Sequence, residues 1–338
     1  MNDRANLTLL EGLAEAALIV RGRRVVAANA AARGLLGKGV AGRETAAVFS
    51  HPAALQVLGR SAAPGGEEVE LSGIGSSRRH WLMRLADLAD GTRLIRFVDR
   101  SEARAAEQMR VDFVANASHE LRTPLATLIG YTETLRERSE EIDAATRERF
   151  LAVVHDEARR MQRIVEDLIS LSRIEAERFV PPSDAVSLGP LIEQAIAGAR
   201  RTADEYRSPL ISRVAAALPP VAADSGQILQ LLDNLITNAL RYGEPGSDVT
   251  VTAEREEAMV HLAIADHGEG IPPEHIERVT ERFYRVDTSR SRSIGGTGLG
   301  LSIVKHIVER HRGRLHIESR EGHGTTVHVR LPVAGAVS

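Results

Sequence analysis

Between residues 101 and 177 the chain carries two long helical patterns, and these limit most strongly what it can fold into. The first runs to about Arg138 and the second from about Ala144 to Ala176. In the second, apolar positions return every seven residues: Val154, Met161 and Leu168 form one series, Leu151, Ala158 and Val165 another. That spacing lines the side chains along one seam, as in a coiled coil or a four-helix bundle. The link Ser139-Glu-Glu-Ile-Asp143 is short, so the helices are expected to be antiparallel neighbours. Two helices bury such a seam poorly by themselves. A second copy of the chain is the simplest partner, giving a dimeric four-helix bundle; packing against the N-terminal region is the alternative.

The flanking regions read differently. Residues 1 to about 100 mix short elements. Leu18-Ile-Val20 and Val25-Val-Ala27 flank the basic turn Arg21-Gly-Arg-Arg24 as a hairpin, and Ala28 to Leu36 follows as a helix. Ala62-Ala-Pro-Gly-Gly66 is a loop, and strands are predicted at Glu67 to Gly73, His80 to Leu85 and Thr92 to Val98. A small antiparallel sheet with helices on one side follows from this. After the turn Val180-Pro-Pro-Ser-Asp184, helices are predicted at Leu188 to Tyr206, Gly226 to Arg241 and Leu299 to Arg312. Strands are predicted at Asp248 to Arg255, Met259 to Asp266, Arg314 to Ser319 and Thr325 to Leu331, an α+β sandwich on a mostly antiparallel sheet. The expected division is therefore 1–100, 101–178 and 184–335.

Composition narrows the chemistry. There is no cysteine, which removes disulfides, Cys-ligated zinc and thiol catalysis and fits a reducing, cytoplasmic setting. Formal net charge is -3, which gives no argument for nucleic acid or an anionic membrane. No stretch approaches the ~20 apolar residues of a membrane span. Leu7 to Val20 is interrupted by Glu11 and Glu15, so no membrane segment is expected here; anchoring of a longer form stays open.

Chemistry-bearing residues concentrate in a few places. On the helix Gly226 to Arg241, Asn234 and Asn238 share a face with Arg241 and with Gln230 or Gln227. Amide oxygens there suit a hard cation and the guanidinium a phosphate oxygen, although alone this face reads as ordinary solvated helix. Asp266-His-Gly-Glu-Gly-Ile-Pro272 follows a strand; Asp266 suits the exocyclic amine of adenine, and Gly268 and Gly270 allow a close backbone turn. Gly295-Gly-Thr-Gly-Leu-Gly-Leu301 then leads into a helix, where backbone N–H groups suit phosphate. It is neither a P-loop nor a dinucleotide fingerprint, since no Gly-Lys-Ser/Thr follows and no strand leads into it. The polar, basic run Asp287 to Ile294 reads as a lid, with Arg285, Arg290 or Arg292 able to reach a triphosphate; an exposed basic loop is the alternative.

Upstream lies Phe113-Val-Ala-Asn-Ala-Ser-His-Glu-Leu-Arg-Thr-Pro-Leu125. Neutral imidazole is a good nucleophile near pH 7, and Glu120 is placed to take a ring proton from His119. Pro124 lacks the N–H that the Glu120 carbonyl would accept, so the helix can bend just past the nucleophile. An imidazole nucleophile and a nucleotide site in one chain point to phosphoryl transfer onto histidine. The other histidines, including the pairs His306 with His311 and His323 with His328, lack a convincing third ligand for zinc.

From about residue 105 to 332 these motifs, in this order, resemble the sensor histidine kinases of two-component systems. Leu231-Leu-Asp-Asn-Leu-Ile-Thr-Asn-Ala-Leu-Arg-Tyr242 is similar to the N box, Asp266 to Gly270 to the first Gly box, Glu281-Arg-Phe-Tyr-Arg285 to the F box, and Gly296-Thr-Gly-Leu-Gly300 to the second Gly box. The His119 run looks like the H box. The resemblance implies a Bergerat-type α/β sandwich binding ATP and Mg2+, with Asn238 the metal ligand and Asn234 beside it. Asp266 would read adenine, and Gly298 and Gly300 would border the phosphates. Arg241, Tyr242, Gly268, Gly270, Arg285, Gly296, Thr297 and Leu299 would complete the nucleotide site. Arg241 stands where the family usually has Lys, with the charge kept. His119 would be the phosphoacceptor and Glu120 its helper. Thr123 would orient the water that removes phosphate from the partner, a response-regulator receiver domain. The H box and second helix most resemble the phosphate-regulon subgroup. Leu18 to Leu36, with Asn29 after the second strand, resembles the start of a PAS domain. The expected molecule is an α+β, homodimeric kinase with a PAS-like domain; the alternative is a degenerate kinase that only docks regulators.

Overall fold

The computed structural model describes residues 8–60, 66–74, 79–88, 91–138, 141–177, 179–286 and 296–335. The chain divides into two compact units, 1–114 and 115–338. The dividing point falls inside a single helix, Ser101–Glu137.

The first unit is built on β1 (Ala16–Arg21), β2 (Arg24–Ala28), β3 (Glu67–Ser72), β4 (His80–Asp87) and β5 (Thr92–Asp99). They form one antiparallel sheet in the order β2-β1-β5-β4-β3. The expected hairpin closes at Gly22, whose φ of 62° lies in the left-handed region. Three helices follow β2: α1 (Ala30–Leu36), α2 (Thr45–Val48) and α3 (Pro52–Leu58). Of these the sequence predicts only α1; the four residues of α2 are too few to show a helical period. Leu18, Leu71, Met83, Ile95 and Phe97 from the sheet pack with Phe49, which stacks on Phe97 at 5.8 Å. Asn29 caps α1 and is fully engaged. Its oxygen accepts from Ala32 N (2.9 Å) and Ala17 N (3.0 Å), while its amide donates to Leu13 O (3.1 Å) and Glu15 O (2.7 Å). The predicted loop at Ala62 to Gly66 lies almost wholly outside the described residues.

The second unit begins within α4 (Ser101–Glu137) and continues into α5 (Ala144–Ala176). Asp143 starts α5 by accepting from Thr146 N at 2.8 Å. Glu120 meets Arg160 and Tyr131 meets Phe150, so numbering falls on one helix as it rises on the other. The helices are therefore antiparallel. On α5 the fully buried apolar residues are Ile164, Leu171 and Ile174, a third series beside the two expected. Val154, Met161 and Leu168 are half-buried, whereas Leu151 and Val165 are exposed.

The remainder is a sandwich. β7 (Leu210–Val214), β9 (Val249–Glu256), β10 (Met259–Ala265), β11 (Arg314–Arg320) and β12 (Gly324–Pro332) form a sheet ordered β11-β12-β10-β9-β7. All pairs are antiparallel except β7 with β9. Helices α6 (Leu188–Tyr206), α7 (Ser225–Tyr242) and α9 (Gly300–Arg310) cover one face, and a short α8 (Pro273–Ile276) precedes α9. Leu231, Leu235 and Ile236 of α7 are buried with Val251, Leu262, Val329 and Ile303. Two small strands, β6 (Ala185–Val186) and β8 (Val221–Ala222), pair at the edge. The sequence does not predict β7: a five-residue edge strand interrupted by the polar pair Ser212-Arg213 looks like loop.

Candidate functional site

Helix α7 is the floor of the nucleotide-type site. Asp224 caps it by accepting from Gln227 N at 3.1 Å. With its apolar stripe turned into the sandwich, Asn234, Asn238 and Tyr242 follow one another at four-residue spacing on a less buried face. The second Gly-rich segment lies directly on that face. A Cβ placed on Gly300 would sit 3.4 Å from Asn234 Oδ1 and 3.6 Å from Asn238 Nδ2, and one on Gly296 would sit 2.9 Å from the Tyr242 hydroxyl. The first segment closes in from the other side: any side chain at Gly268 would collide with the Tyr242 carbonyl.

Asp266 stands immediately beyond β10. Its Oδ1 accepts from Gly268 N (2.9 Å) and Thr325 N (3.2 Å), which fixes the carboxylate's orientation. Burial raises its pKa, and those two N–H groups oppose the rise. Gly270 follows with φ 70°. Phe283 and Gly298 interlock: Phe283 N donates to Gly298 O at 2.8 Å, and both residues have positive φ, 62° and 72°. A non-glycine in that conformation at Phe283 is strained and needs a packed surrounding to hold it. Leu299 is buried at the start of α9, and its N–H donates to Thr297 Oγ1 at 3.2 Å. Arg285 is half-buried. The expected lid, Asp287 to Ile294 with Arg290 and Arg292, lies outside the described residues.

The arrangement fits the oxygen atoms of a triphosphate. The side-chain nitrogen of Asn234 is buried without a hydrogen-bond partner, the kind of group that a bound polar ligand satisfies. Arg241 on α7 is half-buried; burial lowers its pKa, as does the nearby Arg163.

The other predicted group stands on α4. His119 is exposed. Glu120 pairs across the hairpin with Arg160 at 3.4 Å, so the described partner of this carboxylate is a cation on α5. The Thr123 hydroxyl donates back to the His119 carbonyl at 3.5 Å, one turn away. Pro124 is buried, and α4 continues through it.

Several pairings that the sequence did not predict join the two parts of this unit. Thr297 Oγ1 donates to Asp167 Oδ2 (2.9 Å), and Ser170 Oγ donates to Gln230 Oε1 (2.7 Å). Glu175 takes Arg282 and lies 3.4 Å from His306 Nε2; Glu177 takes Arg310 at 2.6 Å. Apolar periodicity reads none of these positions, because charged residues between heptad positions look like a solvated face. Among the histidines, His311 is buried: its Nδ1–H donates to Ile307 O (2.7 Å) and its Nε2 accepts from Asp224 N (3.0 Å). His261, His316 and His328 gather on the outer sheet face, with His261 Nε2 3.0 Å from His328 Nδ1. Among the described residues no group of three or more His, Asp or Glu is placed to hold a metal.

Two family models match, "His Kinase A (phospho-acceptor) domain" over 109–177 and "Histidine kinase-, DNA gyrase B-, and HSP90-like ATPase" over 223–335. Curated relatives include the phosphate regulon sensor protein PhoR of Pseudomonas aeruginosa, 39% identical over 228 residues (68% of this chain, 51% of that protein). Sensor histidine kinase WalK of Bacillus subtilis is 39% identical over 237 residues (69% of this chain, 38% of that protein). The chain thus spans about half or less of these relatives. Solved structures that share the fold include two histidine kinases. Histidine kinase ThkA, in complex with response regulator protein TrrA, has a TM-score of 0.54 at 20% identity, covering 96% of this chain and 98% of that one. Acinetobacter baumannii histidine kinase AdeS has a TM-score of 0.51 at 23% identity, covering 64% and 98%. With both family models matched in order and these relatives alongside, the chain belongs to the sensor histidine kinases.

Proposed function

We propose that this chain autophosphorylates His119 from ATP and passes the phosphoryl group to an aspartate of a response-regulator receiver domain. The observation that carries it is an exposed His119 in the same compact unit as a Gly-rich cradle laid on Asn234, Asn238 and Tyr242. A nitrogen of the His119 ring forms the new N–P bond as the bond from the γ-phosphorus to the bridging oxygen of ADP breaks. The ring proton leaves from the other nitrogen, and Glu120 is the nearest carboxylate in sequence to receive it. Asp266 holds adenine, and the N–H groups leading into α9 meet the phosphates. Asn238, with Asn234 beside it, would hold Mg2+, which supplies neutralisation of phosphate charge. Arg241, Arg285, Gly268, Gly270, Gly296, Thr297, Gly298, Leu299 and Gly300 shape the rest of that site.

Thr123 is read as the residue that orients water for dephosphorylating the regulator. The exposed seam of the hairpin supports a homodimer through α4 and α5. The five-stranded sheet with helices after β2 supports a PAS-like sensory module, and the three-part division 1–100, 101–178 and 184–335 follows from these roles. The response-regulator partner draws on the ThkA complex. PhoR and WalK are equally similar to this chain, at 39% identity, so neither relative assigns it a stimulus.

The test uses ATP labelled on the γ-phosphate. Acid-labile label is expected on the wild-type chain and absent from His119→Gln. Label that persists in that variant, or a wild type that never takes label, sinks the reading.

A further inference from the structure

On one side the sandwich sheet ends in an open strand. β11 pairs with β12 and, among the described residues, with no other strand. The C-terminal end of its outer edge is covered: Ile271 N donates to Ser319 Oγ (2.8 Å) and Gly322 N to Glu269 O (2.7 Å). Arg314-Leu-His-Ile-Glu318 stays open, a row of backbone groups that can template another strand. Side chains alternate, so Arg314, His316 and Glu318 share the outer face, and Leu315 and Ile317 face the helices. A groove of about 500 Å3 runs beside the edge on the helix side, with Ile276, Val308, Leu315 and Ile317 as its apolar wall. The two outer charges lack permanent partners within the sheet. Arg314 stands opposite Arg330 on β12, a like charge whose own carboxylate, Glu256, is 2.6 Å away. Glu318 faces His316 (3.5 Å) and His328 (3.6 Å), which carry charge only when protonated.

We infer that β11 docks on β11 of a second copy of this chain, antiparallel and centred on His316, so that the two five-stranded sheets join edge to edge. The run Arg314-Leu-His-Ile-Glu318 is its own complement in charge and in apolar pattern. Turned about a two-fold axis at His316, Arg314 meets Glu318 of the partner subunit, and the same pair repeats at the other end. Leu315 meets Ile317 of the partner subunit on the helix side, where the pair covers the mouth of the groove. Opposite charges and apolar pairs directly across an antiparallel ladder are stabilising, and this pairing supplies the carboxylate that Arg314 lacks. The surface is self-complementary, as a two-fold contact requires. It is distinct from the seam of α4 and α5 and independent of the nucleotide reading. A chain that uses both surfaces links hairpin dimers into larger assemblies, bringing kinase sandwiches of different dimers side by side. Five residues make a weak contact, one that forms when copies are concentrated.

The chain has no cysteine, so His316→Cys puts a single thiol at the two-fold centre. The full chain also carries Ile129→Glu, so that the hairpin does not bring copies together. Mild oxidation with diamide should then give a disulfide-linked dimer on non-reducing gels, faster than Arg201→Cys, an exposed site on α6 that sets the rate of chance collision. Adding Arg314→Glu or Glu318→Arg sets like charges against each other at both ends and should slow cross-linking about tenfold. With both changes together the two ion pairs return, and the rate should recover to within about twofold. The same charge series without the thiol, followed by sedimentation over a range of concentrations, decides the matter if the cysteine variant fails to fold: dimer should be lost in each single variant and regained in the double. Cross-linking no faster than Arg201→Cys overturns the inference, including the case in which another segment of the same chain occupies the edge. So does association that ignores the charge changes, or a double variant that stays as weak as the singles.

Discussion

The sandwich and the helical hairpin are both helical to a large extent, yet they satisfy their apolar residues in opposite ways. Helix α7 is 18 residues long and buries Ile228, Leu231, Leu232, Leu235, Ile236, Ala239 and Leu240 within its own domain. Helix α5 is 33 residues long and buries only Ile164, Leu171 and Ile174, while Leu151, Val165 and Ile169 stay exposed. On α4, Leu125 and Ile129 remain 46% and 48% exposed. A helix against a sheet has a complete partner in the same chain; two helices side by side have half of a bundle. The difference teaches where each part draws its stability: the sandwich from its own packing, the hairpin from a surface still to be covered.

The largest effect expected from that contrast is in the sandwich core. Leu231→Ala, at a fully buried position, should lower unfolding free energy by about 2–5 kcal/mol at any protein concentration. A concentration-dependent loss in chemical denaturation would break the contrast. On the hairpin, Ile129→Glu should act on assembly instead. One seam side chain is worth about 1.5–3 kcal/mol, so the dimer should weaken roughly tenfold to a hundredfold in light scattering, with the sandwich's unfolding unchanged. A wild type that is monomeric at high concentration would remove the seam argument altogether.

A smaller effect concerns pH. Burial lowers the pKa of His311, and the hydrogen bond that its ring donates to the Ile307 carbonyl opposes that shift. Its neutral ring accepts from Asp224 N, at the residue that caps α7. The unfolded chain therefore takes up this proton first as pH falls. Stability is full above the unfolded value of about 6.5 and is lost as pH drops from there through the folded pKa, at up to about 1.4 kcal/mol per unit. Thermal melts of the wild type and His311→Gln across that range check it; equal pH slopes would exclude His311 as the source. The smallest stability effect is expected for the exposed Thr123→Ala, within about 0.5 kcal/mol. This variant should keep autophosphorylation and lose regulator dephosphorylation, and unchanged dephosphorylation would end the water-orienting role.

How much was legible varies with the range of the interactions involved. The hairpin helices and β9 to β12 match the sequence expectation to within a residue or two, since each carries a clean local period. The glycine segments were legible as motifs, but their mutual geometry was not. Nothing local says that Gly300 rests on Asn234, or that Gly296 rests on Tyr242, partners more than fifty residues apart. The C-terminal stop of α9 shows the same limit on a small scale. Gly313 looks like the residue that turns the chain, yet Arg312 takes the left-handed φ of 52°. Gly313 is needed because a side chain there would press on the Arg330 carbonyl, at 2.5 Å.

By itself the amino-acid order determined the elements, the reactive residues and their grouping into motifs, because helical and strand periods and glycine spacing are properties of near neighbours in the chain. Only the tertiary structure decided that Glu120 answers to Arg160, that Asp167 holds Thr297, and that Glu175 and Glu177 tether the sandwich to α5. Those pairings join residues 40 to 133 positions apart. They depend on how whole helices meet, and no local pattern of charge encodes which distant partner a side chain will find.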